Sequence, residues 1–356
     1  MSDQTIRVAQ ILAGAEKGGA ENFFVRLVKG LNSQPECEQK AFIRDHSHRV
    51  ETLRKAGVAT QGFSFGGKLD YLGRAKYKRS LKDYDPDIVL TWMSRASGNT
   101  PTGKYILVNR LGHYYNLKYY RHADYWIGIS KGICKHLIDG GMPKERVFHI
   151  PNFADETPVN PLPRDSYDTP VDKPLILAAG RLHVNKGFDI LLQSLVDIPD
   201  ATLWLAGAGP EESNLKAICS NLGLDSRVRF LGWRDDVTTL MKTADVFVCP
   251  SRHEGLGSIV MESWAHHCPI IATRSQGPGE VIEDGYSGLL TDIDNVEQLT
   301  KAINSLLKDD KLKQQLVDNA SKVYAEGYSE KYIVSEYIKL FDLLRNKLGK
   351  PNKVSR

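Results

Sequence analysis

Short apolar runs that alternate with longer amphipathic spans constrain the fold of this chain more than any other feature of its sequence. Residues 6–13 form an apolar run of strand length, and residues 21–31 then repeat apolar side chains at helical spacing. Similar short runs occur at 88–92, 105–108, 125–129, 175–179, 202–206, 228–231, 246–249 and 270–273. Strands that alternate with helices form parallel sheets covered on both faces, so the pattern predicts an α/β protein.

A proline-rich stretch at 151–174 interrupts the alternation, which then starts again. The stretch holds six prolines and few large apolar residues, a composition typical of an interdomain linker. A length of 356 residues also suits two domains. We therefore expect two doubly wound, Rossmann-like domains at 1–165 and 166–327. A helical segment at 328–356 is expected to return to the first domain.

Composition excludes several classes of protein. No run approaches the roughly 18 uninterrupted apolar residues of a transmembrane helix, and the N-terminus lacks the pattern of a signal peptide. The five cysteines are scattered without a C-x-x-C pair, so neither a zinc site nor a disulfide framework is expected. The expected location is the cytosol, with peripheral attachment to the inner face of the membrane left open.

Charge is unevenly distributed along the chain. Residues 1–160 carry 24 Lys and Arg against 16 Asp and Glu, whereas the remainder carries 23 against 27. A basic half beside an acidic half indicates that the first half meets an anionic partner, and a merely solvated basic surface is the alternative. A nucleic-acid binder is not expected, because no recognisable module accompanies the basic half.

Three segments that follow predicted strands are suited to an anionic ligand, since open parallel sheets bind ligands at the carboxyl ends of their strands. The first is GAEKGGA at 14–20, where Gly18 and Gly19 let the backbone approach a ligand ahead of a helix N-terminus. The spacing is not G-x-G-x-x-G, so the dinucleotide fingerprint is absent. A tight turn without a ligand is the alternative.

The second segment, GRLHVNKG at 180–187, places Arg181 and Lys186 at the edge of the predicted sheet. A planar guanidinium and a mobile ammonium together suit a diphosphate. A solvated pair of cations is the alternative. A dehydrogenase turn at 207–209 is excluded, because Glu212 stands where the third glycine of the fingerprint would be.

The third segment, PSRHEGLGSIVME at 250–262, carries two glutamates. Glu254 falls in a loop, and Glu262 lies about one turn into the helix that follows. Both carboxylates can line one pocket and accept hydrogen bonds from sugar hydroxyls. For Glu262, the alternative is an acid that only complements the helix dipole.

These segments, in their order and spacing, resemble glycosyltransferase family 4, the group 1 glycosyl transferases of the GT-B fold, and within it bacterial lipopolysaccharide and polysaccharide glycosyltransferases. The resemblance covers residues 172–325 most strongly. It rests on GRLHVNKG, LAGAGPE, FLGWRDDV, the E-x7-E spacing from Glu254 to Glu262, and SQGPGEVIEDGYSGLL at 275–290. It implies two Rossmann-like domains that face each other across a cleft.

The resemblance further implies a retaining enzyme that transfers a hexose-type sugar from a nucleotide sugar, a UDP- or GDP-sugar, without a metal or another cofactor. Arg181 and Lys186 would neutralise the diphosphate as it leaves. Glu254 would hold hydroxyls of the donor sugar, and Glu262 the hydroxyls of the ribose. Backbone groups that would complete the contacts belong to Gly257, Ser258, Ile259 and, reaching across the cleft, Gly18 and Gly19.

One position departs from the family pattern. Many relatives carry a His or Asp just after a strand of the N-terminal domain, near the reacting sugar. Here the run at 105–108 leads into NRLGH, so either Arg110 or His113 can occupy that place, and we favour His113. An ordinary loop histidine is the alternative.

Two segments of the first half bear on the acceptor. YLGRAKYKRSLK at 71–82 predicts a basic, partly amphipathic helix that suits an anionic membrane surface, although a solvated helix face has the same composition. GHYYNLKYYRHADYW at 112–126 is dense in tyrosine, whose ring can stack on a sugar. We therefore expect a glycan or a lipid-linked, lipopolysaccharide-type acceptor. A GT-B epimerase or a non-catalytic sugar-nucleotide-binding protein is the alternative function.

Overall fold

A computed structural model of the chain describes residues 5–16, 18–66, 70–255 and 257–351. Two residues of the predicted ligand segments, Lys17 and Leu256, lie outside these ranges. The chain divides into two compact units. Unit 1 comprises Met1–Asn152 and Glu330–Arg356, and unit 2 comprises Phe153–Ser329.

Within the described residues, unit 1 contains one parallel sheet of seven strands. The strands are β1 (Ile6–Leu12), β2 (Cys37–Arg44), β3 (Ala59–Phe63), β4 (Ile88–Trp92), β5 (Ile106–Leu111), β6 (Tyr125–Gly128) and β7 (Val147–His149). Their order is β3-β2-β1-β4-β5-β6-β7, and every neighbouring pair is parallel. All five residues of β4 are buried, as expected for a strand covered on both faces. The order reverses between β1 and β4, which defines a doubly wound sheet.

Five α-helices of unit 1 precede residue 152 in the part of the chain that the structure describes. They are α1 (Gly19–Asn32), α2 (Ser47–Lys55), α3 (Tyr71–Tyr84), α4 (Met93–Asn99) and α5 (Lys131–Asp139). Helix α1 buries Phe24, Leu27 and Leu31, which recur at helical spacing and face the sheet side of the helix. Asp70 caps α3 by accepting a hydrogen bond from the Gly73 N–H at 2.9 Å. The cap explains why α3 begins at Tyr71, and the apolar stripe explains which face of α1 is buried.

Unit 2 repeats the arrangement with six strands among its described residues. The strands are β8 (Leu175–Ala179), β9 (Thr202–Ala206), β10 (Val228–Gly232), β11 (Val246–Cys249), β12 (Ile270–Thr273) and β13 (Leu289–Thr291). Their order is β10-β9-β8-β11-β12-β13, again with parallel neighbours. The prediction of two doubly wound α/β sheets is confirmed.

Helices cover both faces of this second sheet. They are α6 (Phe188–Leu195), α7 (Glu212–Asn221), α8 (Val237–Thr243), α9 (Ser258–Ala265), α10 (Gln276–Val281), α11 (Val296–Lys308) and α12 (Asp310–Gly327). Most of unit 2's buried apolar side chains form one cluster centred on β8, β9, β11 and α6. In the described ranges of both units, every helix is too short or too polar to cross a membrane.

The proline-rich stretch belongs largely to unit 2. The sequence placed the first boundary after residue 165, whereas the chain enters unit 2 at Phe153. The Leu162 N–H donates to Thr243 Oγ1 at 2.7 Å, and Arg164 pairs with Asp245 at 2.9 Å. These bonds attach the stretch to the end of α8 and the start of β11, so it is not a free linker.

After unit 2 the chain returns to unit 1 as α13 (Glu330–Leu343), which packs on α1. Arg110, near the end of β5, is 3% exposed, and its Nε donates to Tyr337 Oη of α13 at 2.9 Å. Its Nη2 donates to the Asn152 side chain, and its guanidinium lies 4.3 Å from the centroid of Trp92. Arg110 therefore joins the two separate stretches of unit 1.

Candidate active site

The predicted donor residues of unit 2 lie at the carboxyl edge of its sheet. The segment at 180–187 follows β8 and the segment at 250–257 follows β11, and these two strands are neighbours. The segment at 207–211 follows β9, on the other side of β8. The three loops therefore meet at one place on the edge of the sheet.

Glycines let these loops approach each other at backbone distance. Gly187 has φ 64°, and a Cβ on it would lie 2.0 Å from the carbonyl oxygen of Pro250. A Cβ on Gly207 would lie 1.8 Å from the carbonyl oxygen of Gly180. No side chain fits in either place, so the close packing of the loops depends on glycine. This packing determines where the charged side chains of the loops lie.

Lys186 and Glu254 form an ion pair between the first and third of these loops. The Lys186 Nζ donates to Glu254 Oε2, and the two side chains are 24% and 18% exposed. Burial disfavours the ammonium and lowers its pKa, but the nearby Glu254 carboxylate more than offsets this, so the pKa of Lys186 is raised. The lysine is thus held as a cation at the edge of the sheet.

Arg181 and Glu262 lie on the same edge. Arg181 is exposed, and the loop next to it is fixed by the Leu182 N–H, which donates to the Ala208 carbonyl at 3.0 Å. Glu262 is half-buried in α9, a little more than one turn after Gly257, which caps the helix with φ 69°. A cation and a carboxylate therefore belong to the same sheet edge as the ion pair.

The start of α9 supplies backbone donors. Ser258 and Ile259 occupy its first two positions, where N–H groups have no partner within the helix. The loop before them is tied to α10, because the Gly277 N–H donates to the Glu254 carbonyl at 2.7 Å. An anion or a sugar hydroxyl can use such donors.

The remaining predicted residues lie in unit 1, at the carboxyl edge of its own sheet. Gly18 caps α1 and Gly19 begins it. His113 is exposed in the loop after β5, with its ring centroid 5.7 Å from that of Tyr115. Arg110 is buried in the contacts described above, so of the two candidates at this position only His113 is accessible to solvent.

Two buried residues that the sequence did not single out hold the glycine loop after β1. The Ala15 N–H donates to Glu21 Oε1 at 2.8 Å, and Arg49 Nη2 donates to the carbonyls of Ala15 and Glu16 at 2.6 and 2.7 Å. Glu21 and Arg49 are each 4% exposed. A Cβ on Gly14 would come within 2.3 Å of the Glu21 carboxylate, which explains a glycine there. Glu21 directly follows the GAEKGGA segment in the sequence, whereas Arg49 lies more than 30 positions from the carbonyls that it binds, so no local pattern predicts its contact.

The structure thus brings Lys186 and Glu254 into contact and leaves Arg181, Glu262 and the start of α9 on the same edge. Gly18, Gly19 and His113 belong to the other unit. The described residues contain no group of three or more His, Cys, Asp or Glu placed to hold a metal ion. The role of each residue in binding or catalysis stays a prediction.

Comparison with known proteins identifies the class. The model of the family described as "Glycosyl transferases group 1" matches residues 161–323. The chain is 34% identical over 326 residues to the lipopolysaccharide core biosynthesis glycosyltransferase LpsE of Rhizobium meliloti, covering 91% of this chain and 95% of that relative.

Solved structures agree with the fold. A glycosyltransferase from Rickettsia africae matches with a TM-score of 0.82 at 20% identity, covering 95% of this chain and 98% of that one. Anabaena Alr3699/HepE in complex with UDP-glucose matches with a TM-score of 0.81 at 20% identity, covering 95% and 100%. The chain belongs to the group 1 glycosyltransferases, with the GT-B fold that the motifs predicted. It is a glycosyltransferase.

Proposed function

We propose that the protein is a retaining, metal-independent hexosyltransferase that transfers a sugar from a UDP- or GDP-sugar to a lipopolysaccharide-type acceptor. The observation that carries the proposal is the Lys186–Glu254 ion pair at the carboxyl edge of the second sheet. This is the edge at which open parallel sheets bind their ligands.

The charges of this edge suit a nucleotide sugar. Arg181 and Lys186 would neutralise the diphosphate, and that stabilisation grows as negative charge develops on the leaving group. A carboxylate can accept at both oxygens, so Glu254 can bind Lys186 through one and a donor sugar hydroxyl through the other. Glu262 would accept from the ribose hydroxyls. UDP-glucose in the related Anabaena structure supports a donor of this class.

The anomeric configuration would be retained because the acceptor hydroxyl attacks the same face of the sugar from which the diphosphate leaves. In this scheme the leaving phosphate helps to remove the proton of the acceptor hydroxyl. The protein contributes position and charge stabilisation, and neither glutamate acts as a nucleophile. Proton NMR of the product tests retention of configuration, because an α-linked donor must then give an α-linked product.

The acceptor would be a lipopolysaccharide-type glycan, free or lipid-linked. The name of the relative LpsE supports a core oligosaccharide. Tyr114 and Tyr119, in the loop after β5 of unit 1, are each 41% exposed and offer ring faces on which a sugar can stack.

Helix α3 would hold the enzyme at an anionic membrane surface on the cytoplasmic side. Leu72 is 88% exposed and Tyr71 70% exposed at its start. Exposed cations follow at Lys76, Lys78, Arg79 and Lys82. Apolar side chains next to a row of cations suit an interface with anionic lipid.

Vesicle flotation tests this attachment. At low salt, the wild type should float with vesicles rich in phosphatidylglycerol and not with pure phosphatidylcholine, and Leu72→Asp should weaken flotation. Val171→Asp is the matched control, because Val171 is 79% exposed in unit 2. If the protein floats with neither kind of vesicle and readily transfers a sugar to soluble acceptors, the membrane contact is rejected.

The donor site is tested with UDP-glucose, GDP-mannose and ADP-glucose, by thermal stabilisation and by slow hydrolysis without acceptor. Glu262→Ala should weaken binding of the free nucleotide. Glu254→Ala should reduce turnover more than it reduces nucleotide binding. Glu326→Ala, at an exposed position late in α12, is the control. Wild-type kinetics in both site variants would mean that the pocket is elsewhere.

A further inference from the structure

Arg252 lies two residues before Glu254, and no motif described above gives it a role. Its backbone N–H donates to the Asn185 carbonyl at 2.8 Å, and its Nη1 donates to the Val184 carbonyl at 2.7 Å. Main chain and side chain of one residue therefore hold the loop that ends in Lys186. The same residue belongs to the loop that carries Glu254.

The guanidinium also binds carboxylates from two further segments. Nη1 and Nη2 donate to the two oxygens of Asp189 at 2.9 and 2.7 Å, a bidentate pair. Nε donates to Asp294 Oδ1 at 2.6 Å. Asp189 is in the first turn of α6 and Asp294 follows β13, so one planar group joins segments from three strand ends. A lysine, with a single point of charge, cannot make this set of bonds.

Two further observations show that the bonds are structurally important. The Arg252 side chain is only 20% exposed, so solvent and salt screen its ion pairs less than those of a surface arginine. Asp294 has φ 60°, a strained conformation for a residue other than glycine. Arg252 therefore binds a carboxylate whose own backbone lies in the left-handed region.

We propose that Arg252 is a positioning residue of the donor site. It keeps the Lys186 ammonium and the Glu254 carboxylate in the relative position in which both can contact a nucleotide sugar. This inference rests on the proposed function of that pair. Arg252 acts through the two loops and not on the substrate.

Arg252→Lys and Asp189→Asn test the proposal by donor hydrolysis. We expect each to lower kcat/KM for the donor by about tenfold to a hundredfold, since small displacements of positioning groups have effects of that size. Lys186 faces the Glu254 carboxylate and the Cys249 thiol. A weaker contact between Lys186 and Glu254 should therefore lower the pKa of Lys186. The alkaline limb, the fall of kcat/KM at high pH, should then move to lower pH. A merely structural arginine would lower the melting temperature without moving that limb.

Arg164 supplies a matched control within the same unit. It pairs with Asp245 at side-chain exposures of 19% and 30%, against 20% and 30% for Arg252 and Asp189. It also donates to three backbone carbonyls, those of Val171, Lys173 and Thr243. Asp245 precedes β11, so this pair lies at the opposite edge of the sheet. Arg164→Lys should leave both kcat/KM and the alkaline limb at their wild-type values.

The outcomes separate this inference from the proposed function. A wild type that neither binds nor hydrolyses UDP-glucose, GDP-mannose or ADP-glucose would contradict the proposed function. An active wild type whose kcat/KM and alkaline limb survive Arg252→Lys would overturn the positioning role. An equal shift in Arg164→Lys would overturn it as well.

Discussion

Gly187→Ala puts the close packing of the donor loops to a quantitative test. Gly187 has a left-handed backbone, and the added methyl group would lie 2.0 Å from the Pro250 carbonyl oxygen. That oxygen belongs to the backbone at the end of β11, so it cannot rotate away as a side chain can. Gly223, with φ 68° after α7, is the matched control, because a Cβ there meets no heavy atom of the described residues within 4 Å.

The two substitutions share one cost and differ in another. Alanine in the left-handed region costs about 1 kcal/mol, and both variants incur this strain. Forcing an extra carbon into a packed site costs about 1–3 kcal/mol more, which only Gly187→Ala incurs. We therefore expect Gly187→Ala to lower the free energy of unfolding by about 2–4 kcal/mol and Gly223→Ala by about 1 kcal/mol.

Urea unfolding followed by circular dichroism measures the difference, and a titration with UDP-glucose measures its effect on the site. Displacement of the loop should separate Lys186 from Glu254, so Gly187→Ala should also weaken donor binding, whereas Gly223→Ala should not. Equal midpoints for the two variants would contradict the expected steric cost at Gly187. It would mean that the loop moves aside freely and that its contact with Pro250 does not position the site.

Further predictions concern one buried hydrogen bond, the pH dependence of donor binding and the effect of removing metal ions. Tyr337→Phe removes an acceptor from the buried Arg110, and a lost bond to a charged group should cost unit 1 about 1.5–3 kcal/mol in urea unfolding; an unchanged midpoint would contradict the bond. The Lys186–Glu254 pair stabilises the fold below the ordinary pKa of lysine, and this contribution is lost as pH rises through the raised pKa. In Glu254→Gln the raising effect of the carboxylate is lost and the lowering effect of burial outweighs the smaller raising effect of Cys249, so donor binding followed by calorimetry should fail at a lower pH than in the wild type. If it fails at the same pH, Glu254 does not control the charge of Lys186. Donor hydrolysis should survive an excess of EDTA, and loss that Mg²⁺ restores would reject a metal-independent reaction.

The sequence predicted the bounds of the wholly apolar strands well and those of strands that contain polar residues poorly. The runs at 175–179, 202–206 and 246–249 coincide with β8, β9 and β11, because strands buried on both faces are apolar throughout. The run at 105–108 stopped short of the end of β5. The strand continues through Asn109 and Arg110, polar residues that are buried because their side chains find hydrogen-bond partners inside the unit.

The residues of the proposed donor site differ in the same way in how far the sequence predicts them. Arg181, Lys186, Glu254 and Glu262 follow strand ends, so their place on the sheet edge could be predicted from chain order alone. The contacts of Arg252 could not, because its carboxylate partners lie 63 and 42 residues away in the sequence. No periodicity or local spacing signals a bond of that kind. It becomes visible only when the loops are placed side by side.

Unit 1 is formed by two stretches of the chain that are synthesised at different times, because all of unit 2 lies between them. Arg110 binds Asn152 just before the chain leaves unit 1, and it binds Tyr337 after the chain returns, 227 residues further along. On the ribosome, unit 2 is therefore synthesised in full before Arg110 can gain its second partner. A buried guanidinium that lacks a partner is costly, so unit 1 reaches its final stability only after its last helix has emerged. A chain interrupted near residue 329 would carry a finished unit 2 attached to an unfinished unit 1.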